Sequence, residues 1–327
     1  MIMRLEQLEN EIFGIRTQAD FERIALEVYR YQRVHVPVYK EYVDLLNRPE
    51  PTKLSEIPFL PIAFFKSHAV IAEGFQPELL FKSSGTTGMQ RSQHPVAFAS
   101  MYERSFFPTY EAFSGPVKDQ VIIALLPNYV EQGNSSLVYM VEKLVAATED
   151  FRSGFYLHET DQLTEIFQSV KASGKQLVVF GVSYALLDLA EKGIDLTGAI
   201  TVETGGMKGR RKELSKEDLH AVLRAGLSVS YISSEYGMCE LLSQAYADKD
   251  GLFEVPNWMK ILLRDVNDPF GYVSGGRSGG INVIDLANLY SCSFIATQDL
   301  GRFEGERFRL MGRFDHSDIR GCNLLVS

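Results

Sequence analysis

The run Gln176-Leu177-Val178-Val179-Phe180-Gly181-Val182-Ser183-Tyr184-Ala185-Leu186-Leu187 sets the fold class. Its first five residues, apolar and partly β-branched after Gln176, read as a short buried strand, and residues 184–192 read as the helix that follows. The same succession recurs on both sides. Residues 121–126 read as a strand and 136–146 as a helix; residues 199–202 and 229–233 read as strands, with a helical stretch over 215–223 between them. This β-α-β rhythm predicts a mostly parallel sheet covered on both faces, an α/β fold. Further out the pattern changes. Phe21, Ile24, Ala25, Val28 and Tyr29 share one helical face, so the first 50 residues read as helices, ended by Asn47-Arg48-Pro49-Glu50-Pro51. Residues 57–65 are apolar but marked by Pro58 and Pro61, and read as a buried extended connector. Beyond about residue 255 come strand candidates and glycine turns, at Met259–Arg264, 280–284 and 307–311. Three regions are expected: an N-terminal helical region (1–50), an α/β core (51–255), and a strand-rich C-terminal part (256–327).

The composition narrows the function. A chain of 327 residues has the length of one large domain or of a domain with an annex. Its formal net charge of -9 offers no broad attraction to polyphosphate, which argues against a nucleic-acid partner while leaving room for a basic pocket around one nucleotide. Cys239, Cys292 and Cys322 are widely spaced, odd in number and without a CxxC, so neither a disulfide scaffold nor a zinc knuckle is expected. Residues 1–14 mix Arg4, Glu6, Glu9 and Glu11 with apolar residues, unlike a signal peptide, and no stretch approaches 18 apolar residues. The expectation is a cytoplasmic protein without a membrane span.

Two short segments carry chemistry. In Ser83-Ser84-Gly85-Thr86-Thr87-Gly88, glycines allow a tight turn while hydroxyls and backbone N–H groups converge on one anion, with Arg91 close by to add charge. The spacing is not that of a Walker A loop. An exposed polar turn would have the same composition. The second segment is Ser233-Ser234-Glu235-Tyr236-Gly237-Met238-Cys239-Glu240, after a predicted strand and before Leu241-Leu242, which read as the start of a helix. Ligands of α/β sheets bind beyond the carboxyl ends of strands. Tyr236 can stack on a purine and Glu240 can hold Mg²⁺; a plain helix start with acidic residues in its first turn reads the same way.

Taken together and in this order, the segments resemble the adenylate-forming enzymes, the group containing the acyl-CoA synthetases. Ser83, Ser84, Gly85, Thr86, Thr87 and Gly88 resemble their phosphate loop, and Tyr236-Gly237-Met238-Cys239-Glu240 their aromatic-glycine-x-x-acid motif. Glu203-Thr204-Gly205-Gly206 is similar to the glycine pair that approaches adenine, Asp299 to the ribose-binding aspartate, and Gly312-Arg313-Phe314-Asp315 to the G-R-x-D segment. Within the group the chain resembles the acyl-protein synthetases of the LuxE type, chiefly in residues 203–211, in 234–240 and in Asp318-Ile319-Arg320-Gly321-Cys322. The resemblance implies a layered α/β fold like the large domain of those enzymes, without the mobile C-terminal domain that bears a catalytic lysine, since only twelve residues follow Asp315. It also implies ATP and Mg²⁺ as cofactors. Ser83, Ser84, Gly85, Gly88, Gly205, Gly206, Glu235, Tyr236, Gly237, Asp299 and Arg313 would contact nucleotide, Glu240 the metal, and Thr86 and Thr87 the reacting phosphate. Cys322 would receive the acyl group and pass it to an acyl-reductase or acyl-carrier partner. One departure is Met89-Gln90-Arg91 after the loop, where the larger ligases have small residues, proline and lysine.

The chemistry implied is attack of a carboxylate, such as that of a fatty acid, on the α-phosphorus of ATP, followed by capture of the acyl group on a thiol. Two other readings compete. Gly181-Val182-Ser183-Tyr184-Ala185 resembles a nucleophile elbow with its last glycine replaced, and Asp299 and His316 follow in triad order, although Ser183 also serves as a helix cap. The second is a non-catalytic acyl- or nucleotide-binding protein. His94 and His316 can approach the cleft, and Tyr129, Tyr139 and Phe180 can line an acyl pocket or pack the core.

Overall fold

The structure is a computed structural model that describes residues 2–83, 90–127, 134–157, 162–205 and 214–313. Along the chain come α1 (Ile2–Phe13), α2 (Gln18–His35), α3 (Pro37–Leu46), β1 (Leu60–Pro61), α4 (Phe64–Ser67), β2 (Leu79–Lys82), β3 (Gln93–Val96) and α5 (Ala99–Ser114). Next are β4 (Gln120–Leu125), α6 (Ser136–Ala147), β5 (Gly154–Phe155), α7 (Leu163–Ser173), β6 (Gln176–Val182), α8 (Ser183–Glu191), β7 (Ile200–Thr204) and α9 (Lys216–Leu227). The order closes with β8 (Ser233–Tyr236), β9 (Ala245–Ala247), β10 (Phe253–Glu254), β11 (Met259–Arg264), β12 (Gly279–Asp285), β13 (Phe294–Glu304) and β14 (Arg307–Arg313). Two compact units result: Met1–Ser105, Cys239–Ser243 and Glu254–Ser327 form unit 1, and Phe106–Met238 and Gln244–Phe253 form unit 2. Among the described residues no helix is long and apolar enough to cross a membrane.

Unit 2 is the α/β part. Its strands lie in the order β9-β8-β7-β6-β4-β5, parallel except for β9, with Ile122 opposite Val178, Phe180 opposite Val202, and Val202 opposite Ser233. Every residue of β4 is buried, as a strand covered on both faces requires. Helix α6 packs on β4, α7 and α8 pack on β6, and α8 packs on α9. Ser135 and Ser215 cap α6 and α9 by accepting N–H groups of the first turn, so those helices begin where small hydroxyl residues precede apolar spacing.

Unit 1 is built on the antiparallel order β11-β12-β13-β14, with β1 parallel to β13. Buried Arg264 ties three strands by donating to Ile281 O, Asn282 Oδ1 and Thr297 O at 2.9, 2.8 and 2.6 Å. Helix α2 buries Phe21, Ile24, Ala25, Val28 and Tyr29, the face expected from the sequence. Its buried Gln32 donates to Asn288 O, Leu289 O and Ser293 Oγ at 2.9–3.0 Å, and accepts from Ser293 N at 3.0 Å. Strands β2 and β3 form a separate hairpin.

Four sequence expectations are corrected. Leu241-Leu242 do not begin a helix: the Asp285 carboxylate takes the N–H groups of Leu242 and Ser243 at 2.8 and 2.9 Å and the Ser243 hydroxyl at 2.5 Å, and the chain leaves this turn as strand β9. The strand expected over 229–233 lies instead at Ser233–Tyr236, which makes Glu235 and Tyr236 strand residues. The connector over 57–65 is extended only in part, since Phe64 opens the short helix α4. Finally, the N-cap of α8 is Val182, which frees the Ser183 hydroxyl for a side-chain partner.

Candidate functional site

In unit 1 the candidate residues gather around Glu240. The glycine-threonine segment joins β2 to β3, and its neck is closed by Ser83 and Ser92: Ser83 N donates to Ser92 O at 3.0 Å, and Ser92 N to Ser83 Oγ at 2.9 Å. Ser84, Gly85, Thr86, Thr87 and Gly88 themselves lie outside the described residues. The Ser92 side chain hydrogen-bonds Glu240, which is only 5% exposed. Burial raises the pKa of the Glu240 carboxyl; the Ser92 bond and the Arg313 charge pull it back, while Asp299 adds to the rise.

Asp299 and Arg313 face each other as register partners of β13 and β14, with Arg313 Nε 3.3 Å from Asp299 Oδ1. The Arg313 side chain is 70% exposed against 14% for Asp299, so the guanidinium is held at one edge and presented outward. The turn bearing Glu240 is held from behind. His94 Nδ1 lies 2.8 Å from Cys239 O, Asn288 Nδ2 donates to Glu240 O at 2.9 Å, and Asp285 holds the next two amides. His94 is fully buried against the edge of Phe65, and burial lowers its pKa to about 4 despite the bond to Cys239. It supports this turn through its buried ring.

In unit 2 a second group sits where β6, β7 and β8 end. Ser183 Oγ donates to Glu203 Oε1 at 2.6 Å; Glu203 Oε2 lies 3.9 Å from Lys216 Nζ and 4.0 Å from His220 Nε2, both on α9. Burial raises the Glu203 carboxyl, but His220, Lys216 and the Ser183 hydroxyl together outweigh it and hold the pKa below the ordinary value. Its neighbour on the next strand behaves oppositely. Glu235 accepts from Thr204 Oγ1 at 2.7 Å, yet burial and the Glu203 charge push its pKa up to about 7. Gly237 leaves room for this carboxylate, because a Cβ there would collide with Glu235 Oε1. Gly205 ends β7 at φ 67°, a backbone state that favours glycine. Tyr236 is 6% exposed and meets Phe253 edge-on at 5.9 Å, while Lys216 Nζ lies 5.1 Å above the same Phe253 ring.

The five-residue segment from Tyr236 to Glu240 thus divides: Tyr236 and Gly237 belong to unit 2, and Cys239 and Glu240 to unit 1. Gly206, Asp315, His316, Tyr129 and the candidate acceptor Cys322 lie outside the described residues. Of the other two cysteines, Cys239 is buried with its thiol pKa pushed up, and Cys292 is buried with its thiol raised to about 12; neither is a ready thiolate. Ser183 is 1% exposed and spends its hydroxyl on a carboxylate. Phe180 and Tyr139 are buried, Phe180 beside Tyr110 with ring centroids 5.9 Å apart. No group of three His, Cys, Asp or Glu that could hold a metal occurs among the described residues. The network of Glu203, Lys216 and His220, and the support from Ser92 and Asn288, were not read from the sequence; hydroxyls and amides far apart along the chain carry no spacing signal.

No protein-family model matches the chain, and no curated protein matches it in sequence. Solved structures do match. An open conformation of 2-hydroxyisobutyryl-CoA ligase, in complex with 2-HIB-AMP and CoA, is similar over 92% of this chain and 77% of its own, at TM-score 0.62 and 11% identity. The same ligase in its thioesterification state matches over 92% and 70%, at TM-score 0.62 and 12% identity. In its postadenylation state with 2-HIB-AMP it matches over 92% and 69%, at TM-score 0.61 and 12% identity. At such identity the likeness is one of fold: the chain shares the mixed α/β arrangement of that ligase.

Proposed function

We propose that this protein activates a carboxylic acid with ATP as an acyl adenylate and passes the acyl group to a cysteine thiol, in the manner of an acyl-protein synthetase of the LuxE type. The observation that carries the reading is the grouping in unit 1. The neck of the glycine-threonine loop at Ser83 and Ser92, the buried Glu240, and the Asp299–Arg313 pair are linked through the Ser92 bond and through charge. A loop suited to phosphates, a buried hard-oxygen ligand and a hydroxyl-binding carboxylate with an arginine are what a nucleotide triphosphate needs.

In the first step the carboxylate oxygen of the acid attacks the α-phosphorus. The bond to the bridging oxygen breaks and pyrophosphate leaves. Ser83, Ser84, Gly85, Thr86, Thr87 and Gly88 hold the phosphates by hydroxyl and N–H donors, and Asp299 accepts from ribose hydroxyls beside Arg313. Glu235, Tyr236, Gly237, Gly205 and Gly206 receive the base. The donor set around Glu240, one carboxylate with a hydroxyl beside it, fits Mg²⁺, which commonly takes one or two carboxylates and completes its shell with phosphate oxygens and water. When bound, the ion offsets phosphate charge. In the second step the Cys322 thiolate attacks the acyl carbonyl, the carbon–oxygen bond to AMP breaks, and a thioester remains on the protein. A fatty acid as substrate, and an acyl-reductase or acyl-carrier protein as recipient, complete the proposal.

The test is incubation with ATP, Mg²⁺ and a panel of fatty and aromatic acids. Acid-dependent pyrophosphate release together with a hydroxylamine-labile mass increase mapped to Cys322 is the expected result. Release without an adduct would move the acceptor to coenzyme A or another protein. Neither signal with any acid would remove the ligase reading.

A further inference from the structure

Among the described residues two buried acceptors behind Glu240 have no donor: His94 Nε2 and Asn288 Oδ1 are each shielded from solvent and without a hydrogen-bond partner there. The other polar atoms of the same two side chains are committed to successive carbonyls of one turn, His94 Nδ1 to Cys239 O and Asn288 Nδ2 to Glu240 O. A carbonyl can only accept, so Nδ1 carries the ring proton, and in a neutral ring Nε2 offers a lone pair. Burial keeps the ring neutral over the physiological range. Both residues line a single small cavity with Met101, Leu242 and Tyr290, of about 10 Å³. That is close to the least space that holds one water molecule. Water has two protons to give, and the two residues that carry the unpartnered acceptors border the same space.

We propose that His94 and Asn288 hold one buried water between Nε2 and Oδ1, and that this bridge positions Glu240 by fixing two successive carbonyls of its turn. His94 and Asn288 are then positioning residues: they act on the metal and nucleotide through the backbone of Glu240. The positioning half rests on the reading of Glu240 given above; the water does not. The bridge also couples the loop to the turn, because His94 lies on β3, two residues beyond the Ser92 neck of the glycine-threonine segment.

Two experiments test it. A crystal structure of the full chain, at a resolution that places buried solvent, is expected to show one water within hydrogen-bonding distance of both atoms. An empty cavity overturns the bridge, whatever reaction the protein performs. Binding of ATP with Mg²⁺ is then measured by calorimetry, alongside KM and kcat for pyrophosphate release. His94→Phe removes both ring nitrogens and is expected to weaken binding of Mg²⁺ and ATP about tenfold, in the range seen when supports of metal ligands are lost, with kcat within about twofold. His94→Asn keeps a donor near Cys239 O and is expected to recover most of that loss. Asn288→Leu, which leaves the His94 bond in place, serves if the phenylalanine variant does not fold, and is expected to weaken binding to a similar degree. Unchanged affinity in a folded His94→Phe or Asn288→Leu variant, or equal losses in His94→Phe and His94→Asn, overturns the positioning role. Should the wild-type protein bind no ATP with Mg²⁺ at all, the positioning half falls with the functional reading, while the solvent peak still decides the bridge.

Discussion

Glu203 and Glu235 end adjacent strands of unit 2, and Glu240 lies in a turn of unit 1; all three are glutamates drawn out of water, and their environments treat them differently. Glu203 is surrounded by Lys216, His220 and the Ser183 hydroxyl and stays charged, its pKa lowered against the pull of burial. Glu235 has one hydroxyl and a like charge nearby, and its pKa rises to about 7. Glu240 is raised by burial with one hydroxyl as first compensation and a mostly exposed arginine as a weaker one. Under the proposed function Glu240 is the carboxylate that would hold the metal, whereas Glu203, compensated by its own protein, belongs to the fold; Glu235 shows that burial short of positive charge does not by itself mark a cation site.

Substitutions separate the two roles. The largest expected effect is on chemistry: Glu240→Gln keeps the shape but removes the charge, and is expected to lower acid-dependent pyrophosphate release by roughly 100-fold or more, with a urea midpoint equal to or above that of the wild type. A Glu240→Gln protein with normal turnover would end its assignment as a metal ligand. Next is Glu203→Ala, which leaves Lys216 and His220 facing a vacated site. Its loss should appear in urea denaturation as about 2 kcal/mol, below the range for fully buried pairs because Lys216 is partly exposed. Asp299→Asn is the contrast to it: weaker nucleotide binding, and a stability change under about 1 kcal/mol, since its partner is solvent-exposed.

The pH dependence of stability sharpens the comparison further. Glu235 takes a proton in the folded chain up to about pH 7, against a reference value of 4.5. Below the lower value both states are protonated and the residue is neutral to stability. As pH rises from there through 7 the unfolded state gains charge first, so stability falls, by about 1–3 kcal/mol in total. Glu235→Gln is expected to flatten that fall and to be more stable than the wild type at pH 8, as read from urea midpoints across pH 4–8; parallel curves for the two proteins would contradict the shifted carboxyl. A comparably small effect on stability is expected from Gly237→Ala: the added methyl displaces only the carboxylate end of Glu235 and should cost about 1 kcal/mol, the low end of overpacking.

Much of unit 2 was legible in the sequence because its signals are local. The apolar run of β4 and the change from strand to helix at Ser183 are properties of consecutive residues. Strand β11 matched its expected bounds for the same reason. Helix α5 was missed, with Pro108 in its interior, and so was β13, whose Gln298, Asp299, Gly301 and Arg302 interrupt any alternation although it is paired along its length. The wrong helix after Glu240 shows the other limit. Leu241-Leu242 look helical alone, and what decides them is Asp285, more than forty residues away. The candidate site divides likewise. Tyr236, Gly237, Glu240, Asp299 and Arg313 stand in recognisable short strings, whereas the protonation of Glu203 and Glu235 depends on Lys216, His220 and Thr204, which only the folded chain brings near.

Acid-dependent exchange of labelled pyrophosphate into ATP, with Mg²⁺ present and the wild-type chain set beside Glu240→Gln, tests the central claim most directly. Exchange needs only the reversible first step and no thiol acceptor or partner. The account predicts exchange with at least one carboxylic acid, and its near loss in the variant. No exchange with any acid from a folded wild-type protein that binds ATP, or equal exchange in both proteins, would contradict it.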